Sequence, residues 1–62
     1  MWIKTITGTL LNAELAETIE YDPDHNVTQA WIGDRNCVLA DGNQIPTIAT
    51  AIMNNKTFVG VQ

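Results

Sequence analysis

The stretch from Val27 to Ala40, VTQAWIGDRNCVLA, decides the fold class of this chain. Val27 to Ile32 is rich in β-branched and aromatic residues, and residues 36–40 are again mostly apolar. Between them lies Gly33-Asp34-Arg35-Asn36, whose composition is typical of a hairpin loop. The stretch therefore predicts two antiparallel strands that are adjacent along the chain.

The segments before this hairpin extend the predicted sheet. Trp2 to Ile6 alternates between two faces, Thr7-Gly8 can form a tight turn, and residues 9–11 return along the first strand. Thr18 to Tyr21 is a further strand. Residues 12–17 have two interpretations: one helical turn capped by Asn12, or a bulged continuation of the strand.

One helical segment follows, from Pro46 to Asn54. A predicted apolar face recurs at helical spacing and comprises Ile45, Ile48, Ala49, Ile52 and Met53. Asn54-Asn55 can end the helix, and Thr57 to Val61 is a short last strand that pairs with the first strand or with a neighbouring chain. We expect an α+β fold in a single domain over residues 1–62. It is a small antiparallel β-meander of three or four strands with one C-terminal amphipathic helix and a short terminal strand.

The small size of the chain favours association with a second subunit. A domain of 62 residues buries a thin core, and small domains normally add disulfides, a metal or a second subunit. One cysteine cannot form an internal disulfide, and one cysteine with one histidine makes a poor set of zinc ligands. That leaves an unusually efficient core or a partner subunit. We therefore expect a homodimer or higher homo-oligomer, with self-association through Phe58, Val59 and Val61 of the terminal strand.

The charge balance narrows the classes of partner. The net charge is −4, and Lys4, Arg35 and Lys56 are the three basic residues. Binding to nucleic acids or to anionic membranes relies on clusters of Lys and Arg, so neither is expected. The sequence has no secretory signal, no stretch of about 20 apolar residues and one unpaired cysteine, which favours the cytoplasm.

An acidic cluster between the predicted strands is the leading candidate for a binding surface. If residues 18–24 are extended, Glu20, Asp22 and Asp24 point to the same side, with Glu17 nearby. A host protein that is more basic than acidic is the favoured partner. Trp31 is a candidate apolar anchor. The alternative is that both tryptophans are core residues, which a thin core favours because it uses large side chains first. The alternative for the acidic residues is a merely solvated edge.

Catalysis and metal binding have little support in the residues. Asp22, Asp24 and Asn26 match the start of an EF-hand loop, but Val27 and Gly33 occupy positions that require Gly and Glu, so no metal site is expected. His25 and Cys37 lack a visible third group for a catalytic thiolate pair. We therefore expect no catalytic residue and no cofactor. Arg35 is a weak candidate for contacting a phosphorylated ligand.

Two resemblances carry functional implications. Gly8 to Glu20, GTLLNAELAETIE, followed by Pro23-Asp24, resembles the FlbD/SwrD family of small flagellar-operon proteins, which implies a flagellar regulator. The layout of a Gly-x-Leu-Leu-Asn hairpin, a meander and a helix is also similar to short phage-encoded proteins. Some of those inhibit a bacterial defence protein or sequester its signal.

These observations predict a small acidic binding protein that is not an enzyme. The first hypothesis is a homo-oligomeric inhibitor of a partner protein, of the phage anti-defence type, which would act in the cytoplasm of the host cell. The alternatives are a FlbD/SwrD-like flagellar regulator, or a nucleotide-signal sponge with its site at a subunit interface.

Overall fold

Six short strands, one 3-10 helix and one α-helix make up the computed structural model, which describes residues 1–61 of the chain. The first sheet consists of β1 (Trp2–Lys4), β2 (Leu10–Asn12) and β6 (Phe58–Gly60), in the order β2-β1-β6. The second consists of β3 (Thr18–Asp22), β4 (Val27–Ile32) and β5 (Arg35–Asp41), in sequence order. The predicted α+β fold class is confirmed, and its strands are shared between two three-stranded sheets.

The first sheet combines a local hairpin with a distant strand. β1 and β2 are antiparallel with Ile3 opposite Leu11, and Gly8, at a φ of +83°, forms the predicted turn between them. β6 pairs with β1 in parallel and places Val59 beside Ile3. Of the two predicted pairings of the terminal strand, the structure therefore shows the one with the first strand.

A 3-10 helix, Ala13–Leu15, connects the two sheets and confirms the capped-turn interpretation of residues 12–17. The Asn12 Oδ1 accepts a hydrogen bond from the Glu14 N–H at 3.1 Å. This bond satisfies a donor that a helix of this length leaves unpaired, since the first amides of any helix lack an internal acceptor. The chain is thereby turned from β2 into β3.

The second sheet is an antiparallel meander. β4 lies between β3 and β5, with Thr18 opposite Trp31 and Ile32 opposite Arg35. The hairpin is tighter than the predicted four-residue loop, because Gly33 adopts a φ of +62° and a two-residue connection then suffices. Arg35 and Asn36 consequently belong to β5.

The α-helix, α1, spans Ile45–Met53, within one residue of the predicted bounds, and Asn55 follows it at a φ of +54°. The predicted apolar face is wrong in part. The buried residues are Ile48 and Ala51, whereas Ala49, Ile52 and Met53 are exposed, Met53 by 81%. The helix contacts only β3 and β6 to any extent, so there is sheet surface for one narrow stripe of side chains.

Both sheets contribute to one core. Ile3 and Val61 come from or directly follow the first sheet, Ala30 and Leu39 come from the second, and Ile48 comes from α1. A main-chain hydrogen bond also links the segments of the two sheets, from the Ile6 N–H, two residues after β1, to the Leu39 carbonyl of β5 at 2.9 Å. Because both sheets turn buried side chains toward this one core, the opposite face of each sheet faces away from it.

Candidate protein-binding surfaces

On the outer face of the second sheet, one carboxylate is hydrogen-bonded to both an aromatic and an amide side chain. Glu20 Oε1 accepts from Trp31 Nε1 at 2.7 Å and from Gln29 Nε2 at 2.9 Å. Gln29 lies directly opposite Glu20 in the ladder, and Trp31 lies diagonally opposite, which brings both donors to one carboxylate oxygen. Val38, 43% exposed, lies opposite Gln29 on the other side. We call Glu20, Gln29, Trp31 and Val38 the Trp31 face.

The bonds to Glu20 hold the Trp31 ring in one orientation on this face. An indole N–H is a donor only, and a carboxylate is the stronger kind of acceptor for it. Trp31 is half-buried, so the structure places it between the two predicted alternatives, core residue and exposed anchor. Neither hydrogen bond uses Glu20 Oε2. This second oxygen can accept from a basic group without disturbing the indole.

The other predicted acidic residues have separate surroundings. Glu17 precedes β3, and its Oε1 accepts from the Gly33 N–H at 3.1 Å, which supports the β4–β5 turn. Asp22 is the last residue of β3, and Asp24 lies in the following turn. The extended conformation assumed for residues 18–24 thus ends at Asp22, and only Glu20 and Asp22 share the periodicity of a strand.

The turn after β3 is organised by local hydrogen bonds. Asp22 Oδ1 accepts from the Asp24 N–H at 3.0 Å, and Asp22 Oδ2 lies 2.7 Å from His25 Nδ1. The hydrogen bond with His25 is the main reason that the pKa of Asp22 is lowered; desolvation opposes it, and the hydrogen bond from the Asp24 N–H adds to the lowering. Tyr21 donates to Asn26 Oδ1 at 2.7 Å. The polar residues in these bonds therefore have a structural role, which is to hold the shape of the turn.

The residues considered for chemistry are dispersed. His25 is exposed on the turn, whereas Cys37 is a half-buried free cysteine in β5. Arg35 is exposed at the first position of β5, at the end of the hairpin. Within residues 1–61, no group of three or more His, Cys, Asp or Glu side chains is placed to hold a metal ion.

A groove of about 660 Å³ lies between the 3-10 helix and the C-terminal end of α1. Its charged lining consists of Glu14, Glu17, Lys56 and the N-terminal ammonium of Met1, which lies 3.9 Å from Glu14 Oε1. Ile19 and Ile52 contribute apolar surface. The two carboxylates balance the two ammonium groups, which makes the groove a poor site for a phosphorylated ligand, because phosphate recognition depends on an excess of cations or on clustered backbone amides.

The outer face of the first sheet carries a second candidate surface, which the sequence analysis missed. Trp2, Leu10 and Phe58 are 48%, 58% and 53% exposed and line a shallow cavity of about 370 Å³. Trp2 and Phe58 are neighbours in the β1–β6 ladder. We call these three residues the apolar face. The sequence did contain an indication of this surface in the adjacent apolar pairs Trp2-Ile3 and Leu10-Leu11. Because consecutive strand residues face opposite sides, one apolar side chain of each pair has to lie on the outer face.

The residues predicted to mediate self-association divide between the two sides of β6. Phe58 is exposed on the apolar face, Val59 is half-buried, and Val61 is 5% exposed within the core. Only Phe58 therefore presents its side chain at the surface. The backbone of β6 is also at the surface along one side, because this strand forms one edge of its sheet.

The comparisons of this chain with known proteins found no match. The sequence matches no protein-family model. No curated protein has a significantly similar sequence. No solved structure is significantly similar to the chain. Among residues 1–61, no helix has both the length and the apolar composition needed to cross a bilayer.

Proposed function

We propose that this protein is a small acidic, non-enzymatic binding protein that inhibits a partner protein by docking through the Trp31 face. The observation that carries the proposal is the Glu20 carboxylate held 2.7 Å from the Trp31 indole nitrogen on an outer sheet face. A tryptophan restrained before binding loses little conformational freedom on docking, and tryptophan is enriched among residues that dominate binding energies.

The chemistry of the surface favours a basic partner. Glu20 Oε2 can accept an Arg or Lys donor, and Val38 adds apolar area beside it. The net charge of −4 attracts a basic protein over longer range and speeds encounter. Asp22, two residues from Glu20 along β3, extends the acidic surface beside the Trp31 face, whereas Asp24 lies in the following turn and Glu17 lines the groove beside the 3-10 helix.

The biological setting that we propose is phage-type anti-defence, in which the bound partner is a cytoplasmic bacterial immune protein. Support comes from the layout shared with short phage proteins, and within residues 1–61 no group of three or more His, Cys, Asp or Glu side chains is placed to hold a metal ion. The resemblance of Gly8 to Glu20 to FlbD/SwrD proteins supports a flagellar regulator as the alternative. Neighbouring genes discriminate the two: flagellar genes would support the regulator, and phage structural genes would reject it.

The nucleotide-sponge alternative has the weakest support. The one residue proposed to contact the ligand is Arg35, which lies at the exposed end of the hairpin, opposite Ile32 in the β4–β5 ladder. A thermal-shift screen against nucleotides tests it directly, because a ligand at about 100 times its Kd adds about 2.7 kcal/mol to the free energy of unfolding. A clear shift that is lost in Arg35→Ala would favour the sponge over the inhibitor.

The inhibitor hypothesis is tested by expressing the protein in bacteria that each carry one defence system and measuring phage plating efficiency. We expect the protein to restore plating against at least one system. Glu20→Lys should abolish the rescue, because it reverses the charge beside Trp31 and removes both hydrogen bonds.

The matched control is Glu14→Lys, which changes the net charge equally but lies on the 3-10 helix, with its side chain 80% exposed. It should retain the rescue, and circular dichroism should show that both variants are folded. Equal rescue by Glu20→Lys and the unaltered protein would reject the Trp31 face. Failure against every defence system tested, together with no plating change in any strain, would reject the anti-defence role.

A further inference from the structure

We infer that the open edge of β6 pairs with β6 of a second copy of this chain. The two strands run antiparallel about a two-fold axis at Val59, so that Phe58 of each copy packs over Gly60 of the other. This interface lies on the first sheet and leaves the Trp31 face of the second sheet free. It does not depend on the inhibitor function.

The hydrogen bonds of β6 show which groups face outward. The Trp2 N–H donates to the Thr57 carbonyl at 2.8 Å, and the Val61 N–H donates to the Lys4 carbonyl at 3.1 Å. Residues of a parallel strand use alternate sides for their main-chain bonds, so 57, 59 and 61 serve β1. The N–H and C=O groups of Phe58 and Gly60 therefore point to the open edge, where residues 1–61 supply no further strand.

The outward groups are self-complementary. In an antiparallel pair, residues directly opposite each other exchange two hydrogen bonds wherever their main-chain groups face each other. A two-fold axis at Val59 sets Phe58 opposite Gly60 of the second copy, and the reverse pair follows by symmetry. The two N–H groups and the two carbonyls that face outward on each copy are then all hydrogen-bonded. The sheet grows from three strands to six.

The side chains fit the same register. A Cβ built on Gly60 has no atom within 4 Å, so the surface above this residue is open. Phe58 is 53% exposed and extends from the same face of β6. Directly opposite residues share a face, so each Phe58 ring covers the partner glycine, an arrangement known to stabilise glycines in sheets.

Electrostatics favour this edge over other surfaces for self-association. Two chains with a charge of −4 repel each other, but none of the seven acidic residues lies in β1, β2 or β6. The single charged residue of these strands is Lys4, which is the β1 neighbour of Gly60. In the dimer, Lys4 of the second copy comes beside the Phe58 ring, where a cation is attracted to the aromatic face.

The edge lacks most of the usual protections against pairing. Exposed edges are normally protected by a short strand, a charged residue, a proline or a bulge, and Phe58-Val59-Gly60 has only the first of these, its length of three residues. A stable dimer buries about 800 Å² per chain, which is about a fifth of the 4106 Å² surface of this one. A three-residue edge with one aromatic ring covers less, so the dimer should form reversibly with rising concentration.

Disulfide trapping tests the register. In a Cys37→Ser background, Phe58→Cys and Gly60→Cys are made as separate single-cysteine proteins and then mixed under mild oxidation. Opposite residues of an antiparallel pair lie about 5.5 Å apart, within the range that a disulfide spans. We expect a cross-linked dimer from the mixture and much less from either protein alone. Equal cross-linking of Phe58→Cys with itself would overturn the register.

Sedimentation equilibrium over a concentration series tests the dimer without cysteines. Phe58→Ala should weaken dimerisation at least tenfold and leave the circular dichroism spectrum unchanged. The control is Leu10→Ala, which removes an equally exposed residue of the same outer face from β2, the strand farthest from the edge. It should dimerise like the unaltered chain.

Three results would overturn the inference. The first is a monomer at every concentration. The second is a dimer that Leu10→Ala weakens as much as Phe58→Ala does, which would indicate stacking of two apolar faces. The third is a dimer that neither substitution weakens, which would place the contact elsewhere, for example on the Trp31 face.

Discussion

Thr28 is the side chain whose replacement should most clearly separate hydrogen bonding from packing in this fold. It is fully buried in β4. Its Oγ1 donates to the Gly42 carbonyl at 2.7 Å and accepts from the Gln44 N–H at 2.8 Å. These bonds fasten the loop that leads into α1 to the second sheet. Thr28→Val keeps the shape of the side chain and removes both bonds.

The expected loss follows from these two contacts. Depriving a buried donor or acceptor of its partner costs about 1–3 kcal/mol, and both main-chain groups are only partly buried, so the lower end applies to each. We expect Thr28→Val to lower the free energy of unfolding by about 2 kcal/mol. A domain of this size has about 3–9 kcal/mol in total. The substitution therefore removes a large share of the stability.

The comparison variant is Thr28→Ser, which keeps the hydroxyl and loses one buried methyl group, at a cost of about 0.8 kcal/mol. Thr18→Val, at an exposed position of β3, should change stability by less than about 0.5 kcal/mol. Urea unfolding followed by tryptophan fluorescence measures all three. With a slope of about 1 kcal/mol per M, Thr28→Val should shift the midpoint by about 2 M. A Thr28→Val protein as stable as Thr28→Ser would refute the reasoning.

Substitutions at three further positions have defined outcomes. Glu20→Ala should move the Trp31 indole N–H signal upfield in the NMR spectrum and speed its hydrogen exchange while leaving the Trp2 signal in place; an unchanged Trp31 signal would contradict the 2.7 Å bond. His25→Ala should raise the pKa of Asp22 toward its ordinary value of 3.8, measured by NMR titration of the carboxyl group. Because the pKa is lowered in the fold, the Asp22 contribution to stability is present above the ordinary pKa and disappears as the pH falls through the lowered one. Asn55→Gly should preserve stability, whereas Asn55→Ala should cost about 1 kcal/mol, since Asn55 adopts a φ of +54°; equal urea midpoints for the two would be the contrary result.

The local elements were predictable because short-range physics determines them. The Gly8 turn and the Asn12 cap each depend on one residue's own backbone or side chain. The β4–β5 hairpin is recognisable for the same reason, since its strands are adjacent in sequence. The one error there was loop length, which depended on whether Gly33 would adopt a positive φ.

The candidate surfaces were predictable only in composition. Glu20 and Trp31 were both singled out, yet nothing in their sequence separation of 11 residues indicated that they bond to each other. Their contact depends on the exact pairing of β3 with β4. Trp2 and Leu10 were not assigned to any surface, because alternation shows that one residue of each pair faces outward but not which one.

By itself, the sequence determined the fold class, the order of strands and helix, and the acidic charge. These properties follow from residue chemistry and from periodicities of two and 3.6 residues. Only the tertiary structure decided that β6 joins β1, that the strands form two sheets, and that Ile52 and Met53 stay exposed. Those outcomes depend on which surfaces meet across the whole chain. A 62-residue protein has enough interior for one stripe of its helix, and residues beyond that stripe remain at the surface whatever their hydrophobicity.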